Sequence, residues 1–203
     1  MKILRLTTPS SSPTSLSSTL QGDSSAARIL ELHPDSSLIP EGRPMFFPDL
    51  GDSWQAVFYL ALRINRLGKR ISTRFAYRYY DALALAVAIS PGATADSDFS
   101  DLLPSAGWLN VLDNSITHGP WSTPTLSTFT DITAAITSTT TTDLPSVHLS
   151  AEGLDIDRAV SLCSRYTTLR TGDIILLPLG AALPLLPRTR IIANPALLNL
   201  KIV

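Results

Sequence analysis

The side chains in this sequence that could do chemistry are few and scattered. His33 precedes Pro34-Asp35, and His118 lies shortly after Asp113. An imidazole titrating near neutrality and a carboxylate are the parts of a metal-free acid–base site, and His33, His118 and Asp113 are the candidates for one. Histidines without a partner nearby in sequence are more often structural or surface groups, and that reading stands beside the catalytic one. A hard divalent cation would need several carboxylate oxygens, and Asp49, Asp52, Asp96 and Asp98 are the acids that folding could gather. Asp96 and Asp98 are set among Gly, Ala, Thr and Ser, which reads as a solvated loop. The single cysteine, Cys163, excludes an internal disulfide. Val160 and Leu162 beside it suit a buried structural thiol rather than a nucleophile.

The elements that must position these groups centre on residues 54–90. WQAVFYLALRI is a continuous apolar run, as expected of a strand covered on both faces. Asn65-Arg66-Leu67-Gly68 supplies a turn, with Gly68 available for positive φ. Ser72 or Thr73 offers an N-cap for a short helix carrying Phe75, Tyr79 and Ala82 on one side and Arg74 and Arg78 toward water. ALALAVAIS before Pro91-Gly92 reads as a second buried strand.

On either side of this unit the pattern is of short strands and turns. Residues 1–6 alternate as a strand. Residues 7–25 are rich in Ser, Thr and Pro and read as a long loop, in part disordered. Residues 26–33 form a strand ending at Pro34, and 45–47 a short one. Helical pieces are expected at 99–103 and 108–112, strands at 116–121 and 147–149, and β-prone character in the Thr-rich 123–142. Residues 156–166 follow helical spacing, with Asp155 and Asp157 at the end the dipole favours for acids. A strand over 174–177, a proline-punctuated apolar segment to 187 that suits packing or an interface, and a hairpin around Asn194-Pro195 complete the chain. The sum is a single mainly β (α+β) domain over 1–203 with few helices.

Three segments in order carry a resemblance: HPDSSLI at 33–39, FAYRYYDALALAVAI at 75–89 and SRYTTLRTGDII at 164–175. Together they resemble the fumarylacetoacetate hydrolase family in its compact single-domain bacterial form. The resemblance covers roughly residues 30–203 and implies a mixed β-roll or sandwich that commonly dimerises. It also implies metal-dependent cleavage, decarboxylation or isomerisation of keto acids. In that family Mg²⁺ or Mn²⁺ is held by a Glu-x-Glu pair on one strand and an Asp on the next. Those positions fall here at Val57, Phe58, Tyr59 and at Ala88, and none carries a carboxylate. The family lysine falls at Asn110, and the family's Thr-Gly-Thr-Pro turn is replaced by residues 177–180, Leu-Pro-Leu-Gly. The family's Gly-Arg-Asn-Tyr segment after the first strand is replaced by Thr7-Thr8-Pro9-Ser10. What the resemblance therefore implies is a degenerate site without metal or cofactor.

A net charge of −1 argues against a nucleic-acid partner, and Arg63, Arg66, Lys69 and Arg70 read as a solvated turn. The start lacks the long apolar run of a secretory signal, and no apolar run reaches the roughly 18 residues of a membrane helix, so a soluble cytoplasmic protein is expected. With 44% hydrophobic and 16% charged residues, a covered partner surface is expected. The leading expectation is a non-catalytic dimeric binding or scaffold protein. The alternatives are a hydrolase or lyase acting on a small keto acid, and a binder of a small acidic or aromatic ligand in a pocket lined by Trp54, Phe58 and Tyr59.

Overall fold

In the computed structural model, residues 1–7, 29–40, 42–46, 53–91, 110–138, 144–195 and 197–203 are described. Ten strands make two sheets. The larger has the order β2-β1-β8-β3-β4-β5, built from β1 (Lys2–Thr7), β2 (Ile29–Pro34), β3 (Trp54–Ile64), β4 (Tyr80–Pro91), β5 (Ile116–His118) and β8 (Ile174–Pro184). The smaller has the order β10-β9-β6-β7, from β6 (Ile132–Thr137), β7 (Ser146–Leu149), β9 (Arg190–Asn194) and β10 (Leu198–Lys201). The one α-helix among the described residues, α1, spans Ile156–Tyr166. The mainly β α+β class expected from the sequence is what folds.

The central hairpin is the pair β3–β4, antiparallel from Trp54↔Pro91 to Leu62↔Leu83 and beyond. β3 also pairs with β8, so both its edges are occupied. That explains the apolar run 56–62 in its middle, where a strand with neighbours on both edges and packing on both faces has nowhere to place a charge; Arg63, near its end, is partly exposed and pairs with Asp81. β8 runs on through the proline-punctuated segment to Pro184, its register against β3 shifting between Val57 and Tyr59. β1 lies parallel to β8 and antiparallel to β2.

The main core lies between the two sheets. Leu4, Phe58, Leu60, Leu85 and Ile175 of the large sheet meet Ile132, Ile136, Ile191 and Leu200 of the small one, with Ile156, Val160 and Cys163 of α1 closing it. Cys163 is buried there, as expected of a structural thiol. Asp155 caps α1 by accepting a hydrogen bond from the Arg158 N–H at 2.9 Å.

Asp173 of the Thr-Gly-Asp segment is a clamp. Its carboxylate accepts from the backbone N–H of Lys2 (3.0 Å) and of Arg170 (2.8 Å) and pairs with the Lys2 ammonium. It thereby ties the start of β1 to the turn that launches β8.

Local details differ from expectation at the turn after β3. Gly68 does not take positive φ; it is required because a Cβ there would sit 2.5 Å from the Tyr79 ring. The left-handed residue is Arg70, with φ of 51°. The helix expected after Ser72 is a 3-10 turn, Thr73–Arg78, without a side-chain cap; Ala76 is its buried residue, while Phe75 faces out.

Candidate functional site

Side chains alternate along each strand, so the large sheet has a second face. It carries Ile3 and Arg5 from β1, Glu31 and His33 from β2, Val57, Tyr59 and Ala61 from β3, and Ala84, Ala86 and Ala88 from β4. Ile116 and His118 of β5 continue it. Val57 lies directly opposite Ala88, and Tyr59 opposite Ala86, which in turn faces His118. Ile116 pairs with Ala88. The fold thus brings together on one face the positions Val57, Tyr59 and Ala88 to which the family resemblance assigns metal ligands. Phe58 points the other way, fully buried in the main core with Trp54. The expected pocket lined by Trp54, Phe58 and Tyr59 does not form, because consecutive residues of a strand cannot share a face.

This face is apolar along its middle and polar at one end. Ile3, Tyr59, Ala84, Ala86, Ala88 and Ile116 form a packed cluster, with Leu38, Val57 and Trp121 against it. At the polar end the Arg5 guanidinium donates to the Glu31 carboxylate at 2.7 Å, with the Tyr59 phenol close enough to feel its charge. Burial pushes the Tyr59 phenol up, and the neighbouring Arg5 opposes that shift. His33 is 1% exposed, and both its ring nitrogens lack a hydrogen-bond partner. Its pKa is lowered to about 4, first by burial and second by the Arg5 charge. The buried hydroxyl of Ser37, on the 3-10 turn Asp35–Ser37 that follows β2, is likewise unpartnered.

The other candidates are apart from this network. His118 is half-buried, its Nδ1–H donating to the Gly119 carbonyl at 2.7 Å and its ring 4.5 Å from Trp121. Asp113 is exposed and Asn110 carries a buried, unpartnered Oδ1. The structure thus makes no His–Asp pair from His33, His118 and Asp113. Asp49, Asp52, Asp96 and Asp98 lie outside the described residues, as do residues 8–25, 47, 99–103 and 108–109. Sequence reasoning missed Arg5, Glu31 and Tyr59 as a group. The only available signal was charge within otherwise apolar strands, Arg5 in KILRLT and Glu31 in ILELHP.

A divalent metal is the group the family resemblance implies, and the side chains at the positions it assigns do not fit one. The strand positions that would supply carboxylates supply methyl, isopropyl and phenol groups, and the nearby Glu31 is already paired with Arg5. Among the described residues no group of three or more His, Cys, Asp or Glu could hold a metal ion.

No protein-family model matches the chain, and no curated protein matches it. Solved structures do. A fumarylpyruvate hydrolase from Pseudomonas aeruginosa, in complex with Mn²⁺ and pyruvate, superposes with a TM-score of 0.69 at 12% identity. That match covers 100% of this chain and 89% of that one. A 5-carboxymethyl-2-hydroxymuconate delta-isomerase from Mycobacterium smegmatis gives 0.71 at 19% identity, covering 100% and 78%. A Yersinia pestis protein assigned to the fumarylacetoacetate hydrolase family gives 0.72 at 18%, covering 100% and 92%. The fold is therefore the one shared by fumarylacetoacetate hydrolase-type hydrolases and isomerases, as the three sequence segments led us to expect.

Proposed function

We propose that this chain is a member of the fumarylacetoacetate hydrolase family that has lost the family's metal-dependent reaction and persists as a dimeric binding or scaffold protein. The observation that carries this is the register of β3 against β4. Val57, Tyr59 and Ala88 lie together on one face, none of the three carries a carboxylate, and Glu31, at the polar end of that face, is paired with Arg5, which supports the reading. An apolar, closely packed surface gives Mg²⁺ nothing to replace its hydration shell. Calorimetric titration with Mg²⁺ and with Mn²⁺ tests the loss: no saturable heat is expected, and tight one-to-one binding would sink the reading. Light scattering tests the dimer, and a monomer at micromolar concentration would remove that part of it.

The second reading is a binder of a small acidic ligand at the same face. The buried Arg5 and the unpartnered His33 nitrogens favour it, since an anion's oxygens would satisfy both. Thermal shift against keto acids and aromatic acids bears on it; no stabilisation by any of them would count against a ligand here.

A further inference from the structure

One end of the molecule is strongly cationic despite the chain's net charge of −1. Between residues 65 and 80 there are five cations, Arg66, Lys69, Arg70, Arg74 and Arg78, and no carboxylate. The fold adds three more. Gly68 bridges to Leu169, and Arg70 and Ile71 donate their N–H groups to Ser164 at 2.8 and 2.9 Å. These bonds seat the turn after β3 against the C-terminal end of α1, which brings Arg165 and Arg170 beside it, with Lys2 next to Arg170 across Asp173. Together these eight are half of the chain's 16 Lys and Arg. An averaged net charge therefore says little about this surface. Among the described residues lining its two clefts, the one carboxylate is Asp173, which is paired with Lys2; Asp157, nearby on α1, accepts from the Tyr80 hydroxyl at 3.3 Å.

Two clefts open on either side of the seam. One, of about 490 Å³, is lined by Lys69, Tyr166, Thr168 and Arg170 together with the Lys2–Asp173 pair. The other, of about 520 Å³, is lined by Arg70, Ser72, Thr73, Ser161 and Arg165. Consecutive residues are divided between them: Lys69 and Tyr166 face the first, Arg70 and Arg165 the second. Cations and hydroxyls are the donors that hold phosphate oxygens. Between and beside the clefts stand exposed rings: Tyr166 is 72% exposed, Tyr77 54% and Phe75 44%. Arginines already stack over such rings, Arg78 lying 5.3 Å from the centroids of both Phe75 and Tyr77.

We propose that this end of the molecule binds single-stranded nucleic acid. A row of phosphates would run through the two clefts, and a base would stack on Tyr166. Phosphate donors alone would serve any polyanion. Exposed aromatic faces interleaved with them are the feature of single-strand surfaces, because every base offers a π-face. A second copy of this chain does not fit as occupant: an isologous contact would set cation against cation. The inference does not depend on the family reading.

The test is fluorescence anisotropy of a labelled oligothymidylate with the full chain, titrated with salt. Saturable binding is expected. With Lys69, Arg70, Arg165 and Arg170 on phosphates, log K should fall against log salt with a slope of about −3. Lys69→Glu with Arg170→Glu should weaken binding at least about tenfold and roughly halve the slope. Tyr166→Ala should weaken it about fivefold or more and leave the slope unchanged. Arg190→Glu, on the far sheet, should change neither. The neutral pair Lys69→Gln and Arg170→Gln carries the test should charge reversal disturb folding. Absence of oligonucleotide binding at low salt overturns the proposal, as does binding that both double variants leave intact. Capture by phosphatidylserine vesicles without oligonucleotide binding would overturn it in favour of a membrane surface.

Discussion

The two faces of the large sheet are made by the same strands and have opposite characters. The face toward the small sheet carries Leu4, Leu6, Phe58, Leu60, Leu62 and Leu85, large side chains that interdigitate with a second apolar layer. The other carries Ala61, Ala84, Ala86 and Ala88 with Ile3 and Tyr59, ending in the Arg5–Glu31–His33 group. The first face is a solution to burial, in which any large apolar residue of the right size serves. The second has small residues along its middle and buried polar and charged groups at one end, where Glu31 is paired with Arg5. The shape of such a face comes from strand pairing and register, whereas its chemistry rests on single side chains, so the two can vary separately.

The contrast can be broken by experiment, and the largest effect should come from the packed face. Phe58→Ala removes a fully buried ring and should cost about 3–5 kcal/mol in urea unfolding. A loss below about 1 kcal/mol would mean that the two faces are not packed differently.

The next effect belongs to the polar end and to pH. His33 is held neutral, with its folded pKa near 4, below the ordinary value of 6.5. The unfolded chain therefore takes up a proton first as pH falls. Stability is fully present above about pH 6.5 and is lost progressively down to about pH 4, by up to about 3 kcal/mol. His33→Gln should flatten that window, and an unchanged pH profile in the variant would remove His33 from the buried group.

Glu31→Gln leaves the Arg5 guanidinium, only 8% exposed, with a neutral partner. A loss of about 1.5–3 kcal/mol in chemical denaturation is expected. Tyr59→Phe removes one hydroxyl that lies beside the Arg5 charge and should cost about 0.5–1.5 kcal/mol, read as a thermal shift of a few degrees. Were Tyr59→Phe to stabilise the protein, the hydroxyl would not be a stabilising member of the Arg5–Glu31 group.

Much of this organisation was legible along the chain. The run 54–64 is the strand its apolar residues suggest, the strand read in ALALAVAIS is part of β4, which starts earlier at Tyr80, and α1 begins and ends where its cap and spacing say. The positions Val57, Tyr59 and Ala88, grouped in the sequence by the family resemblance, are neighbours on one face through the β3–β4 register. Three readings failed for physical reasons. Trp54, Phe58 and Tyr59 could not share a pocket, because alternation sends neighbours to opposite faces. Gly68 was read for φ when its constraint is the Tyr79 ring packed over it. The helix read through Ala82 ends at Arg78, because Tyr80 and Ala82 pair with Ile64 and Arg63 of β3.

The sequence by itself determined the central strand 54–64, the helix 156–166 and the absence of carboxylates from 55–64 and 83–90, since each is a property of a single continuous segment. Only the tertiary structure decided that Arg5, Glu31, His33 and Tyr59 form one buried group, and that Lys2, Lys69, Arg165 and Arg170 surround one pair of clefts. Those groupings join residues up to 168 positions apart through strand register and a helix seated on a turn, and no local pattern encodes such distances.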